Sequence, residues 1–187
     1  MECKSALEEA QGDMDRAIAV LRERGIAKAD RKAGRTAAEG LVVAYVHPGG
    51  RIGVLLELNC ESDFVARNEQ FQALAKDLAM HVAAMNPLYL QPEDVPEDVL
   101  EEERRILRVQ TADSGKPAQV VERIVQGRLQ KFFAETCLIN QPFVKDPDQT
   151  VDQVVKGAVS TMGENIVVRR FCRYQLGETS EAERPMS

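Results

Sequence analysis

The sequence predicts an α+β fold, in which about three antiparallel strands pack with about four helices behind an N-terminal helical hairpin. Two runs rich in β-forming residues, 41–46 and 52–58, flank a turn at 48–50, and a third such run spans 166–176. The helical patterns of the core lie in one block between the second and the third run. Regularly alternating strands and helices would have indicated the α/β class instead, so the α+β class is favoured.

Residues 2–25 predict two short helices, each ended by a glycine. We expect Gly12 to end the first helix and Gly25 to end the second, because glycine favours helix C-termini. Asp13 is the expected N-cap of the second helix. Two helices of this size cannot bury a core alone, so the hairpin needs a further packing partner. Residues 26–39 are alanine-rich and basic, which predicts a linker helix with a solvated face.

Residues 40–176 are predicted to form the core. Its first two strands are apolar on both faces, so we expect this hairpin to be covered on both sides. Apolar residues at intervals of three and four predict the helices that follow. Their expected ranges are about 68–86, 96–111, 117–135 and 151–162.

The last strand is expected to complete a narrow sheet. Alternation within 166–176 places several apolar side chains on one side of this strand. A sheet of three strands has exposed edges, which invite pairing with another copy of the chain or with a partner. The polar residues 177–187 predict a disordered tail.

Composition excludes several classes of protein. The 187 residues are 44% hydrophobic and 29% charged, which is a globular balance. No apolar run approaches the roughly 18 residues of a membrane helix, so we expect no membrane partner. The net charge of −6 and the pI of about 5.1 argue against nucleic acid as the main ligand. The N-terminus resembles neither a secretory signal nor a transit peptide, which favours a cytoplasmic location.

Cysteine and histidine usage argues against a metal site and against an enzyme. The four cysteines are scattered without a CxxC pair, and His47 lies far from His81, whereas a zinc site needs closely spaced ligand pairs. No phosphate-binding loop, nucleophile elbow or metalloprotease motif is present, so we expect no cofactor, no metal and no catalytic residue. One alternative is a cysteine enzyme with Cys60 beside a histidine. Another is a nucleic-acid-binding protein that uses the basic residues Lys28, Arg31, Lys32 and Arg35.

The segment 59–68, between the second strand and the long helix, is unusual. A connection of this kind needs little more than a helix cap, yet an aspartate and an aromatic residue are adjacent here as Asp63 and Phe64. Such a pair at the tip of a loop can insert into a partner and form hydrogen bonds there. The alternative is that Phe64 packs into the protein's own core while Asp63 caps the helix.

Residues 57–67, with the sequence ELNCESDFVAR, resemble the signature of the elongation factor Ts family. Residues 1–25 and the segment GENIVVRRF at 163–171 extend the resemblance over essentially the whole chain. Members of this family are guanine-nucleotide exchange factors for elongation factor Tu in bacterial translation. The resemblance therefore implies this GTPase as the partner, and it implies a noncovalent exchange function rather than an enzyme.

The resemblance also implies a domain organisation. Residues 1–25 correspond to the later part of a ubiquitin-associated-like N-terminal module, which has three helices in the family, so we expect the first of them to be missing before Met1. Residues 26–39 are then the linker, 40–176 the core and dimerisation domain, and 177–187 the tail. The chain resembles the short family form, which has one core subdomain where longer members have two.

The resemblance assigns the tip a role. In the family an Asp-Phe pair inserts between helices of the GTPase domain near its switch region, and here that role falls on Asp63 and Phe64. Ser62 and Val65 would shape the tip, and the hydroxyl of Ser62 is kept although the family usually has threonine there. A ring inserted at that position is expected to disturb the binding of Mg²⁺ and phosphate, which releases the nucleotide.

Two further contacts and a homodimer follow from the same resemblance. Met1 and its neighbours imply a remnant of the N-terminal module's contact with the GTPase, and Lys32 is a further contact candidate whose alternative is a solvated linker lysine. A symmetric pair of short chains would restore the doubled core of longer members, and its expected interface residues are Ile166, Val168, Cys172 and Tyr174. The remaining alternative is a ubiquitin-associated-like interaction module that binds such a GTPase without changing nucleotide release.

Overall fold

The structure, a computed structural model, describes residues 2–112 and 117–178, and within these ranges it confirms the α+β class. Its helices are α1 (Glu2–Glu9), α2 (Met14–Asp30), α3 (Asp63–Ala66), α4 (Glu69–Met85), α5 (Glu97–Ala112), α6 (Ala118–Thr136) and α7 (Val151–Met162). Its strands are β1 (Glu39–Val46), β2 (Ile52–Cys60), β3 (Pro142–Phe143), β4 (Asp146–Thr150) and β5 (Val167–Gln175). Met1 and the residues of the predicted tail from 179 onward lie outside the described residues.

The chain divides into two compact units. The first ends at Ala83 and resumes at Asp152, so it contains the N-terminal helices, the three-stranded sheet and α3. The second unit is the continuous segment Ala84–Val151. The boundaries at residues 25, 39 and 176, which separate the predicted N-terminal module, linker, core and tail, remain predictions.

The three-stranded sheet has the order β1-β2-β5 and is antiparallel throughout. One face is buried along the central strand, where Val54, Leu56 and Leu58 alternate with more exposed residues. On the other face the side chains of Val42, Val46, Leu55 and Tyr174 are exposed. The expectation that the hairpin is covered on both sides is therefore wrong for this sheet, because its second face carries apolar residues without being buried in the chain.

Strand β5 does not keep one side-chain face. Leu58 pairs with Val168 whereas the preceding Glu57 pairs with Arg170, so a β-bulge adds one residue to β5. A bulge shifts the alternation by one position, and every side chain beyond it moves to the opposite face. Val168 is consequently buried while Cys172 is exposed. The prediction that 166–176 presents one continuous face is wrong for this reason.

Helix α2 passes through the glycine that was expected to end it. It continues past Gly25 to Asp30, so the predicted linker helix is the last part of α2. A Cβ atom at Gly25 would lie 3.5 Å from the Ser160 hydroxyl oxygen of α7, which shows that the two helices run close together here. The ammonium group of Lys156 binds the Asp30 carboxylate at 3.0 Å and ties the end of α2 to α7. These contacts stabilise the extension of the helix.

Helices α1 and α2 form the predicted hairpin around small side chains. Ala6, Ala10 and Ala17 are buried, and Val20 and Leu21 pack against them. The Asp13 carboxylate accepts a hydrogen bond from the backbone N–H of Arg16 at 3.0 Å, which confirms it as the N-cap of α2. The hairpin core is therefore narrow, with alanines that allow the two helices to approach closely.

The second unit is built around α5 and α6. Its hydrophobic cluster contains the buried residues Val95, Leu100, Leu107, Val125, Leu129 and Cys137. The short antiparallel pair of β3 and β4 follows α6 and was not predicted from the alternation of side chains. Among the helices of the described residues, none is both long and apolar enough to cross a membrane.

Candidate functional site

The segment after β2 folds into a one-turn helix, α3, and its residues Ser62–Val65 form the predicted tip. Ser62 has extended backbone angles and is the N-cap, and its hydroxyl oxygen accepts a hydrogen bond from the backbone N–H of Val65 at 3.4 Å. Asp63 is then the first residue of the helix, so the alternative in which Asp63 is the cap is wrong. The hydroxyl at position 62 performs the capping for which serine and threonine are both suited.

The two apolar residues of α3 point in different directions. Phe64 is 82% exposed, whereas Val65 is only 7% exposed and anchors the helix. The alternative in which Phe64 packs into the protein's own core is therefore wrong. The ring is therefore accessible to another molecule on a defined turn of helix.

Asp63 lies beside this ring and pairs with a neighbouring cation. Its carboxylate is 2.9 Å from the guanidinium of Arg67, one helical turn away, and both side chains are exposed. An exposed pair of this kind contributes at most about 1 kcal/mol, so it is readily exchanged for another partner. The tip therefore presents a carboxylate and an aromatic ring side by side.

The base of the tip is fastened to the turn between α7 and β5. One carboxylate oxygen of Glu164, Oε2, accepts hydrogen bonds from the backbone N–H groups of Glu61 at 3.1 Å and Ser62 at 3.0 Å. Its second oxygen, Oε1, accepts the Ser62 hydroxyl at 2.6 Å. In return, the Glu61 carboxylate accepts the backbone N–H of Asn165 at 2.7 Å. The Glu164 carboxylate thus binds the backbone at the base of the tip, and the Glu61 carboxylate binds the backbone of the segment after α7.

The residues after α2 join the same arrangement. The side-chain amide of Asn165 donates to the backbone carbonyl oxygen of Arg35 at 2.8 Å. Lys32 donates from its ammonium group to the carbonyl oxygen of Gly163 at 2.6 Å, just beyond the C-terminal end of α7. A cation is favourable at such a helix end. Lys32 therefore has a structural contact in addition to its predicted role towards a partner, and it is not the solvated lysine of the alternative.

Cys60 lies beneath the tip. It is fully buried and its thiol donates to the carbonyl oxygen of Ser62 at 3.1 Å. Burial raises the pKa of the Cys60 thiol, and the nearby Glu164 carboxylate raises it further. Because the thiolate is the reactive form, this environment disfavours a cysteine nucleophile. In the described part of the chain, no group of three or more His, Cys, Asp or Glu side chains is arranged to hold a metal ion.

The remaining candidate residues are not brought together. The basic residues considered for nucleic acid binding are largely engaged within the protein, since Lys28 pairs with Glu2, Lys32 with Gly163 and Arg35 with Glu61.

The residues expected at a dimer interface differ in burial. Ile166 and Val168 are buried, whereas Cys172 and Tyr174 are exposed. The Met1 contact falls outside the described residues.

Glu164 and Asn165 were not predicted from the sequence as residues of the site. Both residues stand in the segment 163–171 that carries part of the family resemblance. Their contacts with Glu61 and Ser62 join positions more than a hundred residues apart, and no local pattern indicates such a pairing. Only the unusual run of polar residues at the start of a strand could have drawn attention to them.

Comparison with known proteins shows the family of this chain. The family model described as elongation factor TS matches residues 4–178. The elongation factor Ts of Carboxydothermus hydrogenoformans is 57% identical over 178 residues, which cover 95% of this chain and 82% of that protein. The elongation factor Ts of Caldanaerobacter subterraneus is 55% identical over 181 residues, covering 97% of this chain and 90% of that protein. The chain belongs to the elongation factor Ts family.

Proposed function

We propose that the chain accelerates the release of GDP from elongation factor Tu by inserting the tip Ser62–Val65 into the GTPase domain. Membership of the elongation factor Ts family supports nucleotide exchange on this GTPase during translation elongation. The observation that carries the mechanism is the 82% exposure of Phe64 on a helix whose neighbouring Val65 is buried. The ring is free to enter another protein, and the scaffold behind it resists displacement.

The physical basis of exchange is a loss of contacts to the nucleotide. A GTPase holds its nucleotide through backbone amides around the phosphates and through a Mg²⁺ ion that bridges phosphate and protein. A packed interior does not deform continuously, so a ring that enters between two helices displaces one of them by a discrete step. The displaced helix no longer supports the shell around Mg²⁺, and the nucleotide dissociates.

Each tip residue has a separate task in this scheme. Phe64 supplies the wedge, and Asp63 forms hydrogen bonds on the partner after giving up its exposed pair with Arg67. Ser62 caps the turn of helix, and Val65 anchors it in the chain. Lys32 binds the carbonyl oxygen of Gly163 in the turn after α7, and it would also contact the partner from the linker.

The exchange factor forms and breaks no covalent bond. It binds the nucleotide-free partner more tightly than the nucleotide-bound one, and by linkage the nucleotide weakens its binding to the same degree. It therefore speeds equilibration in either direction, and the GTP excess of the cytoplasm, where we place the reaction, decides the outcome. Met1 would add a contact from the N-terminal module to the same GTPase domain.

We further propose that two copies of the chain pair through β5. This strand is an edge of the three-stranded sheet, and its residues Cys172 and Tyr174 are exposed. An unpaired edge next to exposed apolar residues favours association with a second copy. The buried residues Ile166 and Val168 would support the strand from within. Light scattering after gel filtration, with and without reductant, tests this pairing, and a monomer under both conditions would contradict it.

Stopped-flow release of a fluorescent GDP analogue from elongation factor Tu tests the exchange function. The parent chain should accelerate release, and the Asp63→Ala variant should lose a large part of the acceleration while remaining folded by circular dichroism. Lys76→Ala, on α4, serves as a control that leaves the tip intact. If the parent chain binds the GTPase without changing the rate of release, the interaction-module alternative is correct and the exchange function is refuted.

A further inference from the structure

We infer that Glu164 is a positioning residue of the exchange tip, which fixes α3 so that Phe64 points away from the protein in one orientation. This inference rests on the proposed exchange function and adds a residue distant in sequence to its machinery. Glu164 stands 102 positions after Ser62, and its side chain accepts three hydrogen bonds at the base of the tip, one from Glu61 and two from Ser62. It is placed to act through the tip rather than on the partner itself.

The chemistry of the contact requires a carboxylate. Two backbone N–H groups and one hydroxyl, all from Glu61 and Ser62, converge on the two oxygens of Glu164. An ionised carboxylate only accepts hydrogen bonds and offers about four lone-pair positions, so it can receive all three donors at once. Hydrogen bonds to a charged acceptor are also stronger than those between neutral groups. An amide would offer only one accepting oxygen.

The hydroxyl of Ser62 connects this contact to the helix. It donates its single proton to Glu164 at 2.6 Å, which leaves its lone pairs directed towards the N–H of Val65. A hydroxyl has one donor and two acceptor positions, so a proton committed to the carboxylate favours the accepting role at the cap. Glu164 therefore determines both where α3 begins and how its N-cap is oriented.

Glu164 is itself held in place. It follows Gly163, which has a φ angle of +81° and ends α7 in the left-handed conformation that glycine favours. Lys32 binds the carbonyl oxygen of Gly163, and the backbone of Asn165 is bound by Glu61. The backbone on both sides of Glu164 is thus held by contacts that do not involve α3, which limits where its carboxylate can lie. A fixed acceptor is what a positioning role requires.

The first experiment measures stimulated GDP release from elongation factor Tu with the Glu164→Ala variant. Removal of a charged acceptor from three donors should lower the second-order rate constant by about tenfold or more, given the usual strength of hydrogen bonds to charged groups. Glu164→Gln should fall between this variant and the parent. Glu57→Ala is the matched control, because Glu57 lies on the preceding strand and its carboxylate binds Arg170 at 2.7 Å.

Ser62 variants distinguish positioning from general support of the fold. Ser62→Ala should lose exchange activity, whereas Ser62→Thr keeps the hydroxyl and should retain it. The double variant of Ser62→Ala and Glu164→Ala should lose less than the sum of the two single losses, because either substitution removes the hydrogen bond between the Ser62 hydroxyl and Glu164. Phe64→Ala should also cost less activity in the Glu164→Ala background than in the parent. If the losses of exchange activity are additive in both of these double-mutant cycles, Ser62 with Glu164 and Phe64 with Glu164, the inference is overturned.

A second readout does not depend on the partner. The chain contains no tryptophan, so Phe64→Trp introduces a single reporter at the tip. Time-resolved anisotropy should show a larger local amplitude of motion when Glu164→Ala is added, and no change when Glu57→Ala is added. Unchanged anisotropy in the Glu164→Ala background would overturn the inference even if the variant exchanged nucleotide slowly.

The failure of this inference is separable from failure of the proposed function. If the parent chain itself does not accelerate GDP release, the exchange function fails and the anisotropy experiment alone decides the role of Glu164. If the parent accelerates release and folded Glu164→Ala does so equally well, the positioning role is refuted while the exchange function stands.

Discussion

The tip should separate stability from activity, because its two apolar side chains face in opposite directions. Phe64 is 82% exposed, so alanine there removes little buried surface. A phenylalanine side chain has a surface of about 200 Å², and burial of the small remaining part of it contributes less than about 1 kcal/mol to the free energy of unfolding, at ~25 cal/mol per Å². The higher helix propensity of alanine offsets roughly half of that loss. Phe64→Ala should therefore change the free energy of unfolding by no more than about 0.5 kcal/mol.

Val65→Ala provides the contrast. Val65 is 7% exposed, and removal of two buried methyl groups with partial relaxation should cost about 1–2.5 kcal/mol. Equilibrium unfolding in guanidinium chloride, followed by far-ultraviolet circular dichroism because the chain has no tryptophan, measures both variants against the parent. A loss above about 1 kcal/mol for Phe64→Ala, or none for Val65→Ala, would refute the assigned orientation of the tip.

Three further predictions concern the scaffold. Gly40→Ala should destabilise the chain by about 2 kcal/mol or more in the same unfolding assay, because Gly40 has a φ of +142° and a Cβ there would lie 2.2 Å from a carbonyl oxygen of the paired strand. A thiol reagent at neutral pH should modify the exposed Cys3 and Cys172 rapidly and the buried Cys60 and Cys137 only on unfolding, as peptide mass mapping would show. Burial raises the pKa of both buried thiols, so the folded chain keeps protons that the unfolded chain releases, and the free energy of unfolding should fall as the pH rises above about 8.5. A flat profile in alkaline denaturation curves would contradict this assignment.

The sequence predicted the elements of the fold because their signals are local. Apolar spacing located α7 at Val151–Met162 as expected, and it located α5 and α6 to within one or two residues. The β-bulge in β5 was not predictable, because an added residue such as Arg169 leaves no local signature while it reverses the alternation beyond it. Gly25 was misinterpreted because a glycine ends a helix only where the chain turns, and here α2 is held against α7.

The candidate site was predicted only in part, for a related reason. Asp63 and Phe64 stood out in the sequence as an aromatic residue and a carboxylate within a short connection. Their exposure could not be predicted from that pattern alone, since Phe64 could equally have packed into the core. Glu164 was missed because its role depends on a contact between segments 102 positions apart. The resemblance to a family identified both segments without revealing that they touch.

In the proposed mechanism an exposed Phe64 on an anchored tip promotes nucleotide release. Stopped-flow release of a fluorescent GDP analogue from elongation factor Tu, with the parent chain and with Phe64→Ala compared at equal concentrations, tests it most directly. We expect strong acceleration by the parent and a loss of at least about 30-fold in the second-order rate constant for the folded variant, the size expected when an aromatic hot spot is truncated. Equal acceleration by the parent and by Phe64→Ala would contradict it.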